Sequence, residues 1–75
     1  MINTYIVKIN DISKKFIIDA NDWCSDNVGK SALHFGLINQ MNPWSMQGMI
    51  GIDESYAEYE FLHKEDANLF RLTWL

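Results

Sequence analysis

Apolar and polar positions along the chain change period several times, and each change marks an element. From Ile2 to Ile9 the residues are rich in Ile, Val, Thr and Tyr and alternate well enough to predict a strand with Tyr5, Val7 and Ile9 on one face. Asn10-Asp11 breaks that pattern, and Ser13 stands where its hydroxyl can accept from a free N–H at a helix start. Phe16, Ala20, Trp23, Cys24 and Asn27 then share one helical face, widened by Ile17 and Val28, and Gly29 follows where a C′ glycine closes a helix. A helix over residues 13–28 is expected.

Ala32 to Ile38 returns to a period of two, with Leu33, Phe35 and Leu37 on one side, and predicts a second strand. Asn39 to Gln47, with Asn42-Pro43 inside it, reads as a loop, and Gly48 to Ile52 as a short strand. Ser55 to Leu62 is a clearer strand: Ala57, Tyr59 and Phe61 share a face, opposite Tyr56, Glu58, Glu60 and Leu62. Between Lys64 and Trp74, Ala67, Phe70 and Trp74 fall at helical spacing, with Glu65 and Asp66 at the positive end of the dipole and Arg71 at the negative end. Phe70, Leu72 and Trp74 also alternate, so an extended finish competes with the helix. The expected fold is a single α+β domain, order β-α-β-(β)-β-α, with a small three- to four-stranded, mainly antiparallel sheet and two helices on one face. Its other face is exposed or paired.

Composition narrows the function classes. With 75 residues, 48% of them hydrophobic, the chain has material for one core but little surplus stability, which makes self-association a reasonable expectation. A net charge of −4 disfavours phosphate backbones and anionic membranes and permits a basic partner. Cys24 is the only cysteine, so neither an internal disulfide nor a thiolate zinc cluster is available, and a reducing cytoplasm fits best. Asn3, Thr4 and Lys8 interrupt the first apolar run, which is neither a signal-peptide core nor a membrane span.

Catalytic and cofactor motifs are mostly missing. Gly29-Lys30-Ser31 resembles the end of a phosphate-binding loop, but Cys24 stands where the first glycine belongs and a helix precedes it. His34 and His63 lack zinc-ligand spacing, and Cys24 lies on the apolar helix face as a small hydrophobe. The expectation is no enzyme and no cofactor or metal.

Two features suit binding. Asp19, Asp22 and Asp26 form an acidic stripe on the first helix, and Glu58 and Glu60 project together from a strand. The segment Met41 to Met46 carries Met41, Trp44 and Met46 in a loop, which either folds over the core or stays a contact surface. The candidate partner contacts are therefore Trp44, Met41 and Met46, flanked by Asp19, Asp22, Asp26, Glu58 and Glu60.

Trp23-Cys24 in a helix closing at Gly29, a tyrosine-rich strand, and Glu65-Asp66-Ala67-Asn68-Leu69-Phe70-Arg71-Leu72-Thr73-Trp74 together resemble small uncharacterised proteins of tailed bacteriophages. Those proteins often end in an acidic-Asp-Ala-x-x-Phe-x-Leu-x-Trp segment. The resemblance implies structural roles for Asp66, Phe70 and Trp74, and a setting in which the partner is a host or antiviral-defence protein inhibited by surface blocking. A self-assembling structural or accessory protein is the alternative expectation, and a nucleic-acid-binding regulator a second, weakened by the acidic charge.

Overall fold

The computed structural model describes residues 3–75, so Ile2, at the start of the expected first strand, lies outside the described residues. Its elements are β1 (Tyr5–Asn10), α1 (Lys14–Asn27), β2 (Trp44–Ile50), β3 (Ser55–Phe61) and α2 (Lys64–Trp74). β3 is the central strand, antiparallel to β1 on one side and to β2 on the other, so β1 and β2 run parallel to each other at the two edges. The α+β class, the order β-α-β-β-α and the two helices on one sheet face are as the periodicities predict.

Local chemistry explains the element ends. Asp11 turns the chain after β1 with a φ of 58°, which a short polar side chain tolerates. Ser13 Oγ then accepts from Phe16 N–H at 3.1 Å and caps α1. At the far end Val28 N–H and Gly29 N–H both donate to the Cys24 carbonyl. Gly29 leaves the helix with φ +141°, and a Cβ there would sit 3.2 Å from Pro43 Cγ. The last segment is helical, which settles the competing extended reading: Glu65 and Asp66 lie in its first turn and Arg71 in its last.

Two expectations over the middle of the chain are corrected. Residues 32–38 form no strand. Gly36 has φ +87°, outside extended backbone, and Leu37 N–H turns back to the His34 carbonyl. Only Ser31 reaches the sheet edge, as a single parallel bridge to Trp44. The expected loop 39–47 is also too long: β2 begins at Trp44, because Trp44 and Met46 register with Phe61 and Tyr59 and share their core-facing side. Gly48 lets β2 approach its neighbour, since a Cβ would lie 2.5 Å from the Tyr56 carbonyl oxygen.

The core lies between helices and sheet. Val7, Ala57, Tyr59, Phe61 and Trp44 from the strands meet Ala20 and Cys24 of α1 and Ala67 and Phe70 of α2. Phe70 is its hub, with ring centroids 4.6 Å from Tyr59, 5.3 Å from Phe61 and 5.9 Å from Trp23. Phe16 meets Trp74 edge-on at 5.4 Å, which sets the start of α1 beside the end of α2.

Candidate functional site

Segment 28–43, between α1 and β2, has no helix or strand of its own, yet it is held at several points. At its entry the Trp44 indole N–H donates to the Gly29 carbonyl at 2.6 Å. Ala32 N–H then donates to the Trp44 carbonyl at 2.8 Å, extending the sheet edge by one residue. At its exit Asn39 and Asn42 exchange backbone hydrogen bonds of 3.0 and 3.1 Å, Asn39 Oδ1 accepts from Met41 N–H, and Asn42 Nδ2 donates to the Ser31 carbonyl. Pro43 is buried, and its carbonyl accepts from Leu62 N–H.

The middle of the segment is tied down by Glu60. This side chain projects from β3 to the face away from the helices and is only 6% exposed. Its Oε1 accepts from Gly36 N–H at 2.8 Å and from Ser45 Oγ at 3.3 Å, and its Oε2 from Thr4 Oγ1 at 2.9 Å. Among the described residues no cation is paired with it, so neutral donors replace the water it has lost. The loop thus covers one end of the sheet's second face. Ile6, opposite Glu60 on β1, stays exposed, and Lys8, Gln47 and Met49 lie uncovered towards the other end, with Lys8 Nζ 4.9 Å from the centroid of the Tyr56 ring.

The anchored segment presents three large apolar side chains to solvent, among polar ones that include Lys30, His34, Asn39 and Gln40. Leu33 is 93% exposed, Met41 83% and Leu37 60%. Leu33 and Leu37, with Lys30, Ser31, Ala32, Asn39 and Asn42, line an open cavity of about 570 Å³. Neither leucine was among the expected contacts, because the alternation of 32–38 reads as an ordinary strand. The long stretch without periodicity beyond it is the one available signal.

The expected contact set is redistributed. Trp44 is 3% exposed, stacked 6.3 Å from Tyr59 and hydrogen-bonded inward, so it is a core residue and not a contact. Met46 packs against the core from β2. Met41 alone of the three points outward. Glu60 is a buried anchor, not part of an acidic surface, and Glu58 is half-buried, accepting from Gln47 Nε2. Asp22 and Asp26 are exposed on α1, and Asp19 pairs with Lys15 at 2.7 Å, which raises the Lys15 pKa. The aspartates lie on the helix layer and the loop's Glu60 anchor on the opposite face, so the expected acidic residues do not form one surface.

Cys24 is fully buried, and loss of solvent, with Asp66 nearby, pushes its thiol up to about 12. A thiol so placed is no nucleophile at neutral pH. Tyr59, whose hydroxyl donates to Asn21 Oδ1 at 2.7 Å, is raised as well, first by burial and then by Cys24. Both groups ionise more readily in the unfolded chain. Stability is therefore expected to fall as the pH climbs from about 9 towards 12. Urea midpoints at neutral and alkaline pH check this, and Cys24→Ala should shallow the decline.

Among the described residues no group of three or more His, Cys, Asp or Glu side chains could hold a metal ion, and no helix is long and apolar enough to cross a membrane. Comparison with protein-family models, curated proteins and solved structures gave no match.

Proposed function

We propose that this chain is a small protein-binding module that docks through segment 28–43 and acts by covering a surface of its partner. The observation that carries the reading is the exposure of Leu33, Leu37 and Met41 on a loop whose backbone is fastened to Glu60, Trp44 and Asn42. Loops of more than about 12–15 residues without secondary structure are uncommon in compact domains and are usually functional or disordered. This one is tied down. A loop already fixed in one shape loses little conformational entropy on docking, and exposed leucine and methionine supply adaptable apolar contact.

The cavity beside Leu33 and Leu37 accepts a protruding side chain of the partner, and the net charge of −4 favours a partner with a basic surround. The likeness of Glu65–Trp74 to tailed-phage proteins adds a host or defence protein as the class of partner and surface blocking as the mode of inhibition.

The test is capture from a bacterial lysate with wild type and with the double variant Leu33→Ser, Met41→Ser. Because both side chains are in solvent, the urea midpoint should shift by no more than about 0.5 kcal/mol equivalent. Recovery of the partner should fall at least about tenfold. Unchanged recovery by the folded variant would place the contact elsewhere.

A further inference from the structure

The β2–β3 ladder is bracketed by Leu62 N–H to the Pro43 carbonyl at 2.9 Å and Gly51 N–H to the Glu54 carbonyl at 2.8 Å. Antiparallel pairing alternates, so the odd-numbered residues of β2 bond to β3 while Trp44, Met46, Gly48 and Ile50 aim their N–H and C=O groups away from it. Trp44 fixes the phase, since its carbonyl is the one Ala32 N–H reaches. Among the described residues no hydrogen bond takes up the outward groups of Met46, Gly48 and Ile50. We infer that β2 is a self-pairing edge: two copies of the chain join antiparallel through Met46–Ile50 about a two-fold axis at Gly48, forming one continuous sheet.

Charge argues for a second copy as the occupant. Two chains of net charge −4 repel unless they meet through an uncharged surface, and β2, WSMQGMI, is the one strand without an ionisable residue. β1 carries Lys8, and β3, with Glu58 and Glu60, is interior. The opposite edge is obstructed, since Arg71 Nη2 reaches the outward carbonyl of Ile6 at 3.4 Å. Edges without such protection are the ones that pair.

The sequence around Gly48 is also self-complementary under two-fold symmetry, as an isologous contact requires. Met46 falls opposite Ile50 of the second copy on the helix side, so the half-exposed Ile50 covers the open part of Met46. On the other side Gln47 falls opposite Met49, again without charge. Gly48 meets Gly48, where no side chain hinders approach. The register ends where Ser31 and Ala32 already occupy the edge, and it brings the fully exposed Ile52 of each copy up to that segment of the other. This interface goes beyond the loop contact proposed above and does not use Leu37 or Met41.

Sedimentation velocity on the full chain, from micromolar to low-millimolar concentration, tests the inference with two variants on the solvent-facing side of β2. Wild type should sediment as a dimer at the upper concentrations. Gln47→Lys with Met49→Lys sets like charges opposite each other and should weaken the dimer at least about tenfold. Gln47→Lys with Met49→Glu sets opposite charges together in this register only, and should restore it to within about threefold of wild type. Far-UV circular dichroism confirms that each variant is folded. A wild type that stays monomeric throughout overturns the inference, as does a dimer indifferent to the two lysines. A lysine–glutamate variant as dissociated as the double lysine overturns the Gly48-centred register.

Discussion

Alanine at Trp44 is expected to unfold the domain, because the indole is simultaneously a core ring and the fastener of the long loop. It is 3% exposed, stacks on Tyr59 and donates to the Gly29 carbonyl at 2.6 Å. Truncating a buried tryptophan costs about 3–5 kcal/mol. A single core in a chain of this size seldom supplies more than roughly 3–5 kcal/mol of net stability, so the loss is comparable to the whole. Trp44→Phe separates the two roles. It keeps an aromatic ring against Tyr59 and removes the indole N–H, at a cost of roughly 1–3 kcal/mol for the stranded carbonyl, and the protein should remain folded with a lower midpoint. Far-UV circular dichroism with urea denaturation of both variants makes the comparison. An alanine variant with a wild-type midpoint would show that the ring does not close the core.

The second large effect is expected at Glu60. Its two oxygens receive Gly36 N–H, Ser45 Oγ and Thr4 Oγ1, and hydrogen bonds to a charged group contribute about 1.5–3 kcal/mol. Keeping the carboxylate out of water opposes part of that. For Glu60→Ala the net loss should be about 2 kcal/mol, concentrated in the loop, since Gly36 then has no acceptor and can turn to solvent. Chymotrypsin should cut the variant at Leu33, Phe35 or Leu37 well before the wild type. Glu60→Gln keeps an acceptor oxygen for Gly36 and should fall between the two. Equal resistance of all three proteins would mean that the carboxylate does not hold the loop.

Trp44 and Glu60 also mark where the sequence stops being informative. Elements whose own residues settle their state are readable: Ser13 capping α1, Gly29 ending it, and the alternation of Ala57, Tyr59 and Phe61 in β3. The C-terminal helix is readable too, once Ala67, Phe70 and Trp74 are given a helical period. Trp44 follows Asn42-Pro43, a turn signal, and only its distant partner Phe61 makes it the first residue of a strand. Glu60 alternates like any carboxylate on a wet face, and its burial comes from Gly36, which approaches through a turn of positive φ. Leu33 and Leu37 show the converse. Their spacing is that of a buried strand face, but the edge they would need already pairs at Ser31 and then stops. Local periodicity carries no information about which edges are taken, and the candidate site is made of such long-range contacts.

Docking through segment 28–43 requires it to be a fixed surface and not a flexible connection. Amide hydrogen exchange of the wild-type protein, resolved by residue, tests that most directly at Ala32 and Gly36, whose N–H groups donate to the Trp44 carbonyl and the Glu60 carboxylate at 2.8 Å each. Both amides are expected to exchange at least about a hundredfold more slowly than in an unstructured peptide, as hydrogen-bonded groups of a folded unit do. Exchange of Gly36 at the free-peptide rate, with the β1 and β3 amides still protected, would make the segment a flexible connection and remove the fixed docking surface.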